Sequence, residues 1–397
     1  MKKSLIILII GAMLPLSLSA QSNKEELKFT VVKENPITSI KDQNRSGTCW
    51  CFSGISFLES EAIRINSIKD TAAYPDFSEM FVVSHSYNDR ADKYIRLDGN
   101  LTFSAGSECE DVLHVVKDYG LVPQSVQPGL NYGTDKPVHG ELDAATKAYI
   151  DAIKSNPNRT LSTAWKNGFK GIVDAYLGEC PTNFEYNGKS WTPASYRDFY
   201  NINPDDYVSI TSFTHHPFYS KFALEVSDNW RGDQAYNVPI DEFIDALFHA
   251  LENGYTATWG GDVSEAGFSR KGHALLLDTQ NKSTAGSDQA KWVGNDDKNE
   301  KNAEASNAPV ELKVTQESRQ HDFDIKSTTD DHGMHAFGIA KDQYGNRYIM
   351  VKNSWGEAGN YKGIWYLSEE YTKAKALDFI VHKDALPKAL KKKLGIR

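Results

Sequence analysis

The chain of 397 residues predicts an α+β protein of two lobes with its chemistry between them. Three observations carry that reading. Apolar residues recur at helical spacing through the first half, and short strand-like runs dominate the second. The residue types needed for acyl chemistry are also divided, with Gln43 and Cys49 early and His335 and Asn353 late.

Residues 1–20 form a unit apart from the fold. Lys2 and Lys3 precede an apolar run from Leu5 to Leu18, broken by Pro15 and ending in Leu18-Ser19-Ala20. A positive start, a short apolar stretch and a small exit residue describe a secretory signal, so the mature chain is expected to begin at Gln21. The run is short for a membrane span, which needs about 20 residues. The expected product is therefore exported, periplasmic or secreted, with no membrane attachment after signal removal.

From Asp42 to Asn66 a polar loop turns into a helix, with Phe52, Ile55, Phe57, Leu58, Ala62 and Ile63 near helical spacing. Cys49 falls in its first turn, where unpaired N–H groups and the helix dipole favour an anion. A second helix is expected from Ser78, with Glu79 in its first turn, and a third from Glu110 to Lys117, ending before Tyr119-Gly120. Residues 140–180 alternate helical patches with polar breaks and read as a helical insertion. Pro239-Ile240-Asp241-Glu242 opens an amphipathic helix with Phe243, Ala246, Leu247 and Leu251 on one face.

Strands are expected at Tyr255–Trp259, Ala274–Asp278, Ala336–Ala340 and Tyr348–Lys352. Between the second and third, residues 281–310 form a polar loop insertion, and 384–397 a basic C-terminal tail. No repeat is seen. The remaining body, 21–397, exceeds a typical single domain and suits one elaborated domain or two lobes.

The net charge is −9, and removal of the leader deletes two lysines, which argues against a nucleic-acid partner. Four cysteines do not make a disulfide scaffold. Cys49 and Cys51 point apart on a helix, and Cys51, Cys109 and Cys180 read as small buried residues, with a Cys109–Cys180 pairing left open.

The chemistry resides in three stretches, Gln43 to Trp50, Met334-His335-Ala336-Phe337 and Lys352-Asn353-Ser354-Trp355-Gly356. Cys49 is the nucleophile candidate and His335 the base. Strands joined by the Asp342-to-Asn346 turn would bring His335 to Asn353, which would fix its tautomer without adding charge. Trp355 would cover that bond. The Gln43 amide and the Cys49 N–H would face the oxyanion. His273 is a rival base and is read as structural or pocket-lining. Asp330, Asp331, His332 and His335 could be read as a metal cluster, but no open coordination site is otherwise suggested. His215-His216 reads as a loop cap. Neither a metal nor a cofactor is expected.

Together these stretches resemble the papain-like cysteine peptidases, and within them the bleomycin hydrolase or aminopeptidase C branch. Ser46-Gly47-Thr48-Cys49-Trp50 is similar to the nucleophile signature of that family, with serine where most members have cysteine. Asp76-Phe77-Ser78-Glu79, Asn353-Ser354-Trp355-Gly356 and Tyr236-Asn237-Val238-Pro239-Ile240 also match its patterns. The distance from Cys49 to the late motifs is roughly twice the family's usual 130–150 residues. That surplus resembles the branch's helical hook.

The resemblance implies a papain-like two-lobe fold with helical insertions and an aminopeptidase that takes peptide substrates, which the leader would make an exported one. It implies substrate contacts from Gly106 and Trp355. The Arg397 carboxylate, or a new one after trimming, would sit in the cleft to pair with the substrate amine. The branch also implies a homo-hexamer that hides its active sites. Two other readings stay open at this point. One is an endopeptidase or amide hydrolase with an open groove; the other is a catalytically inactive peptide-binding module.

Overall fold

The computed structural model describes residues 26–158, 160–277 and 310–397. The leader and residues 281–309 of the polar insertion lie outside them. Strand β1 (Thr30–Glu34) is followed by α1 (Cys49–Ile65), α2 (Glu79–Arg96), α3 (Glu110–Tyr119), α4 (Gly140–Lys154) and α5 (Ala164–Leu177). A hairpin of β2 (Phe184–Tyr186) and β3 (Lys189–Trp191) leads into α6 (Pro193–Phe199). The second half carries β4 (Tyr207–Thr211), β5 (Lys221–Ala223), β6 (Gln234–Asn237), α7 (Ile240–Glu252) and β7 (Ala257–Gly261). Next come β8 (Phe268–Ser269), β9 (His273–Ala274), α8 (Gln316–Asp324), β10 (His332–Lys341), β11 (Arg347–Lys352) and β12 (Ile364–Ser368). Helix α9 (Glu369–Lys375), β13 (Ala376–His382) and α10 (Lys388–Leu394) complete the described chain.

Local chemistry sets several boundaries. Ser78 caps α2 by accepting the Phe81 N–H at 3.0 Å, and Gly120, with φ 92°, ends α3. Pro239 precedes α7, whose first turn holds Asp241 and Glu242 against the positive end of the dipole. The 140–180 segment folds as α4 and α5. Tyr149 joins them by donating to the Trp165 carbonyl at 3.1 Å, and Tyr94 of α2 donates to Asp151 of α4 at 2.6 Å.

One apolar core lies among α1 to α5, built on Ile55, Phe57, Phe81, Val112, Phe169 and Leu177. The other lies under α7, with Phe243, Leu247, Trp259, Met334, Trp365 and Phe379. The large sheet runs β5-β6-β4-β13-β7-β10-β11-β12-β9-β8, with β1 added alongside β10. Long β10 is its spine, antiparallel to β7, β11 and β1, with a register shift between Ala336 and Gly338.

Alternation along β10 divides its side chains between the two layers. Met334 and Ala336 enter the α7 core, whereas His335 turns towards α1. Ser53 of α1 locks this face by donating to the Met334 carbonyl at 2.6 Å.

Two expectations shift. Strand β10 begins at His332, not Ala336, because its first residues pair with Gly261, Gly260 and Trp259 of β7. Strand β9 stops at Ala274, after which Leu276 N–H turns to the Glu311 carboxylate at 2.7 Å. Among the described residues no helix is long and apolar enough to cross a membrane.

Candidate active site

Cys49 is the first residue of α1, and the N–H groups of Cys51 and Phe52 close on the Thr48 carbonyl at 2.9 and 3.1 Å. The preceding loop is held from both lobes. Lys41 Nζ reaches Glu79 at 2.7 Å and Asp76 at 2.8 Å, and the Phe77 carbonyl at 3.2 Å. Gln43 N–H donates to the Ser354 carbonyl at 2.8 Å, and Gly356 N–H to the Lys41 carbonyl at 3.1 Å. The Asn353–Trp355 stretch is thereby stapled to the loop that leads to the nucleophile.

Ser354 Oγ donates to Gln43 Oε1 at 2.5 Å, and Gln43 Nε2 donates to the Ser46 carbonyl at 2.8 Å. These bonds fix the buried amide. They use one of its two N–H groups and leave the other for a carbonyl oxygen.

The pairing expected of His335 belongs to His332. His332 Nε2 lies 2.8 Å from Asn353 Oδ1, and the Trp355 ring stands 4.8 Å from the His332 ring at 33°. His335 instead sits fully buried under α1, its Nδ1 2.8 Å from Ser56 Oγ. The two imidazoles are three residues apart on one strand, so alternation sends them to opposite sides. Gly333, between them, is the close approach. A Cβ there would stand 3.3 Å from Trp50 Cα and 3.4 Å from Trp50 N, and the Gly333 N–H bonds the Cys49 sulfur. His332 is thus the imidazole next to the residue that touches the thiol.

Desolvation outweighs the helix terminus in setting the thiol's proton affinity. Burial pushes Cys49 up to about 11, helped by Asp330 and Asp228 and opposed by N–H bonds from Gly333 and Trp50. Burial also pulls His332 down to about 4, against the pull of its Asn353 bond. The dry cleft favours the neutral thiol and imidazole, and the mutual attraction of thiolate and imidazolium adds to the hydrogen bonds that oppose this. Burial, then the charge of Lys352, holds His335 well below the ordinary range.

Gly106 lies at the cleft wall, where any side chain would collide with the Asp228 carboxylate; its carbonyl accepts from Arg90 Nη2 at 2.6 Å. Trp355 remains partly exposed over His332. Arg397 departs from expectation. Leu390 and Leu394 enter the α7 core, Ile396 packs on it, and Lys393 pairs with Glu242 of α7 at 2.7 Å. The chain end is anchored on α7, and the carboxylates felt at Cys49 come from elsewhere.

His273 lies in β9, in register with Tyr366 and three strands from β10, which removes it as a rival base. The imagined Asp330–His335 metal cluster is split, since His332 and His335 face different partners. His215 and His216 both bond Glu225, at 2.6 and 3.0 Å, and their ring nitrogens and its oxygen lie close enough to share a cation. All four cysteines are free. Sequence reasoning missed His332 as base, Ser354 as the anchor of Gln43, and the acidic residues beside Cys49. Only the first had a usable signal, the alternation of His332, Met334 and Ala336 against Gly333 and His335.

The profile of the Peptidase C1-like family matches residues 305–396. Aminopeptidase G of Lactobacillus delbrueckii subsp. lactis is 24% identical over 89% of this chain and 83% of its own length. Aminopeptidase C of the same organism is 22% identical over 95% and 86%. The crystal structure of PepW from Lactobacillus rhamnosis shares the fold with a TM-score of 0.67 at 19% identity, covering 92% of this chain and 84% of that one. Taken with the fold, these matches make the chain similar to the papain-like cysteine peptidases and, among them, to the aminopeptidases C and G.

Proposed function

We propose that this peptidase is an exported aminopeptidase that removes N-terminal residues from peptides through a thioester at Cys49. The observation that carries the mechanism is the His332–Asn353 hydrogen bond beside the strand position that touches the sulfur. Asn353 Oδ1 can only accept, so the neutral His332 ring donates from Nε2 and keeps its Nδ1 lone pair for a proton.

In the first step Cys49 Sγ attacks the substrate carbonyl carbon while His332 takes the thiol proton. The oxyanion of the tetrahedral intermediate would receive the free Gln43 N–H and the Cys49 backbone N–H. His332 then passes its proton to the departing amine. Water, deprotonated by His332, attacks the thioester, and the sulfur leaves with the acid product released.

The aminopeptidase assignment draws support from relatives named aminopeptidases C, E, G and W. Export rests on the leader-like residues 1–20. One observation favours a second reading, an endopeptidase with an open groove, because the Arg397 end is anchored on α7. Parallel assays of free-amine and N-acetylated peptides separate the two, with Cys49→Ala as the control. Equal cleavage of both would remove the aminopeptidase reading.

A further inference from the structure

Five carboxylates, two of them acting on Cys49 and three grouped beside Cys109, form a structure of their own. Glu108 and Glu110 flank Cys109, whose sulfur lies 3.5 Å from the point where a Gly333 Cβ would stand, the point that also faces Trp50. Across the sheet Gly333 pairs with Gly260, and Asp378 of β13 is in register with Gly260. Oxygens of Glu108, Glu110 and Asp378 lie within 4.8 Å of one another. Asp330 stands two residues before His332 and is hydrogen-bonded to Glu108. Asp228 arrives from the loop after β5, against Gly106.

Grouped carboxylates are costly unless something positive meets them. Among the described residues none of the five forms an ion pair, and Arg231 is engaged by Asp89 and Asp111. Arg90 gives its terminal nitrogens to the Ser104 and Gly106 carbonyls. Glu108 is buried, and no donor reaches its Oε1 or Glu110 Oε2. Asp378 accepts from Ser209 Oγ at 2.7 Å and Asp228 feels the Arg90 charge, but the two unpartnered glutamate oxygens leave the pocket suited to a small cation.

We propose that this pocket, through Asp330, Glu108 and Asp228, receives the α-ammonium group of the substrate and sets the register of cleavage. The inference rests on the aminopeptidase reading and supplies the counter-charge that the α7-anchored chain end does not. One α-carbon separates the ammonium nitrogen of the departing residue from the carbonyl under attack. Its partner must therefore be a carboxylate that also neighbours the sulfur. Asp330 and Asp228 are the charges felt at Cys49. An acetylated amine brings no charge and would leave these groups desolvated and unpaired, which is the strong form of rejection.

The test uses the full chain with leucine p-nitroanilide and its N-acetyl derivative. Asp330→Asn, Asp228→Asn and Glu108→Gln each remove a carboxyl group at nearly constant shape, and melting curves identify the folded variants. In folded variants of Asp330 or Asp228, KM for the free amine should rise about tenfold or more, as expected when one partner of a buried charge pair is removed. The free-to-blocked ratio of kcat/KM should fall with it. A merely structural role would lower kcat on both substrates alike and overturn the proposal. A parent enzyme indifferent to acetylation overturns the aminopeptidase reading as well. A parent preference that every folded variant keeps within about twofold overturns the pocket alone.

Discussion

Asn353 Oδ1 accepts two hydrogen bonds, from His332 Nε2 at 2.8 Å and from the Ser354 N–H at 2.7 Å. The second fixes which end of the amide faces the imidazole, and so which ring nitrogen carries the proton. A neutral carboxamide does this without adding charge to a site already crowded with carboxylates.

His332→Ala should lower kcat/KM by roughly a hundred- to ten-thousand-fold, the range of general acid–base catalysis. His335→Ala should leave kcat within a few-fold and instead reduce stability by about 1–3 kcal/mol, since Ser56 would lose its buried partner. Steady-state kinetics and thermal unfolding on the two variants check this. A catalytic collapse in His335→Ala with normal turnover in His332→Ala would reverse the assignment.

Gln43→Ala should cost roughly 2.7–4 kcal/mol of transition-state stabilisation if its amide faces the oxyanion. Ser354→Ala should act on the same term but less, because it frees the Gln43 amide to rotate without removing it. The double variant should therefore fall no further than Gln43→Ala alone. Additive losses in kcat/KM would separate Ser354 from Gln43.

Asp330 stands at about 7 and Asp331 at about 6, raised chiefly by burial, with neighbouring carboxylates also raising them. A carboxyl whose folded pKa is raised contributes stability that is complete below its unfolded value and lost as pH climbs through its folded value. The window therefore runs from about pH 4 to about pH 7. Asp330→Asn removes the ionisation, so it should be more stable than the parent at about pH 8 by the order of 1–3 kcal/mol. The advantage should shrink towards about pH 4. Melting temperatures at several pH values measure it, and an advantage that grew on acidification would refute the linkage.

Much of the architecture was legible because local rules and tertiary packing agree. Ser78 caps where its side chain can reach Phe81 N–H, and the 3.6-residue pattern of Phe243, Leu247 and Leu251 emerges as the buried face of α7. Asn353 and Gln43 were legible from neighbouring motif residues. The base was not, because two imidazoles lie in one apolar run and the start of β10 depends on pairing with β7, a segment far away in sequence. The chain end misled for a different reason. Its three lysines suggest a solvated tail, yet Leu386, Leu390 and Leu394 recur every four residues and carry α10 onto α7. The acidic pocket draws Glu108, Asp228, Asp330 and Asp378 from four separate segments, which no local pattern reveals.

Gly333→Ala tests the close approach on which the site depends. The new methyl would stand 3.3 Å from Trp50 Cα, 3.4 Å from Trp50 N and 3.5 Å from Cys109 Sγ. Trp50 is backbone in the first turn of α1, tied by the Thr48 carbonyl bonds, so it has little room to give. The start of β10 must then move away from α1, carrying His332 from Cys49. A shift approaching 1 Å can cost about a hundredfold in rate, so kcat should fall by roughly ten- to a hundred-fold while KM changes much less. Gly140→Ala is the matched control, since a methyl there meets nothing within 4 Å at the start of α4. That variant should keep full turnover and gain stability by up to about 1 kcal/mol from the alanine in a helix. Unchanged kcat in Gly333→Ala would mean that the strand start and the helix start are not mechanically coupled.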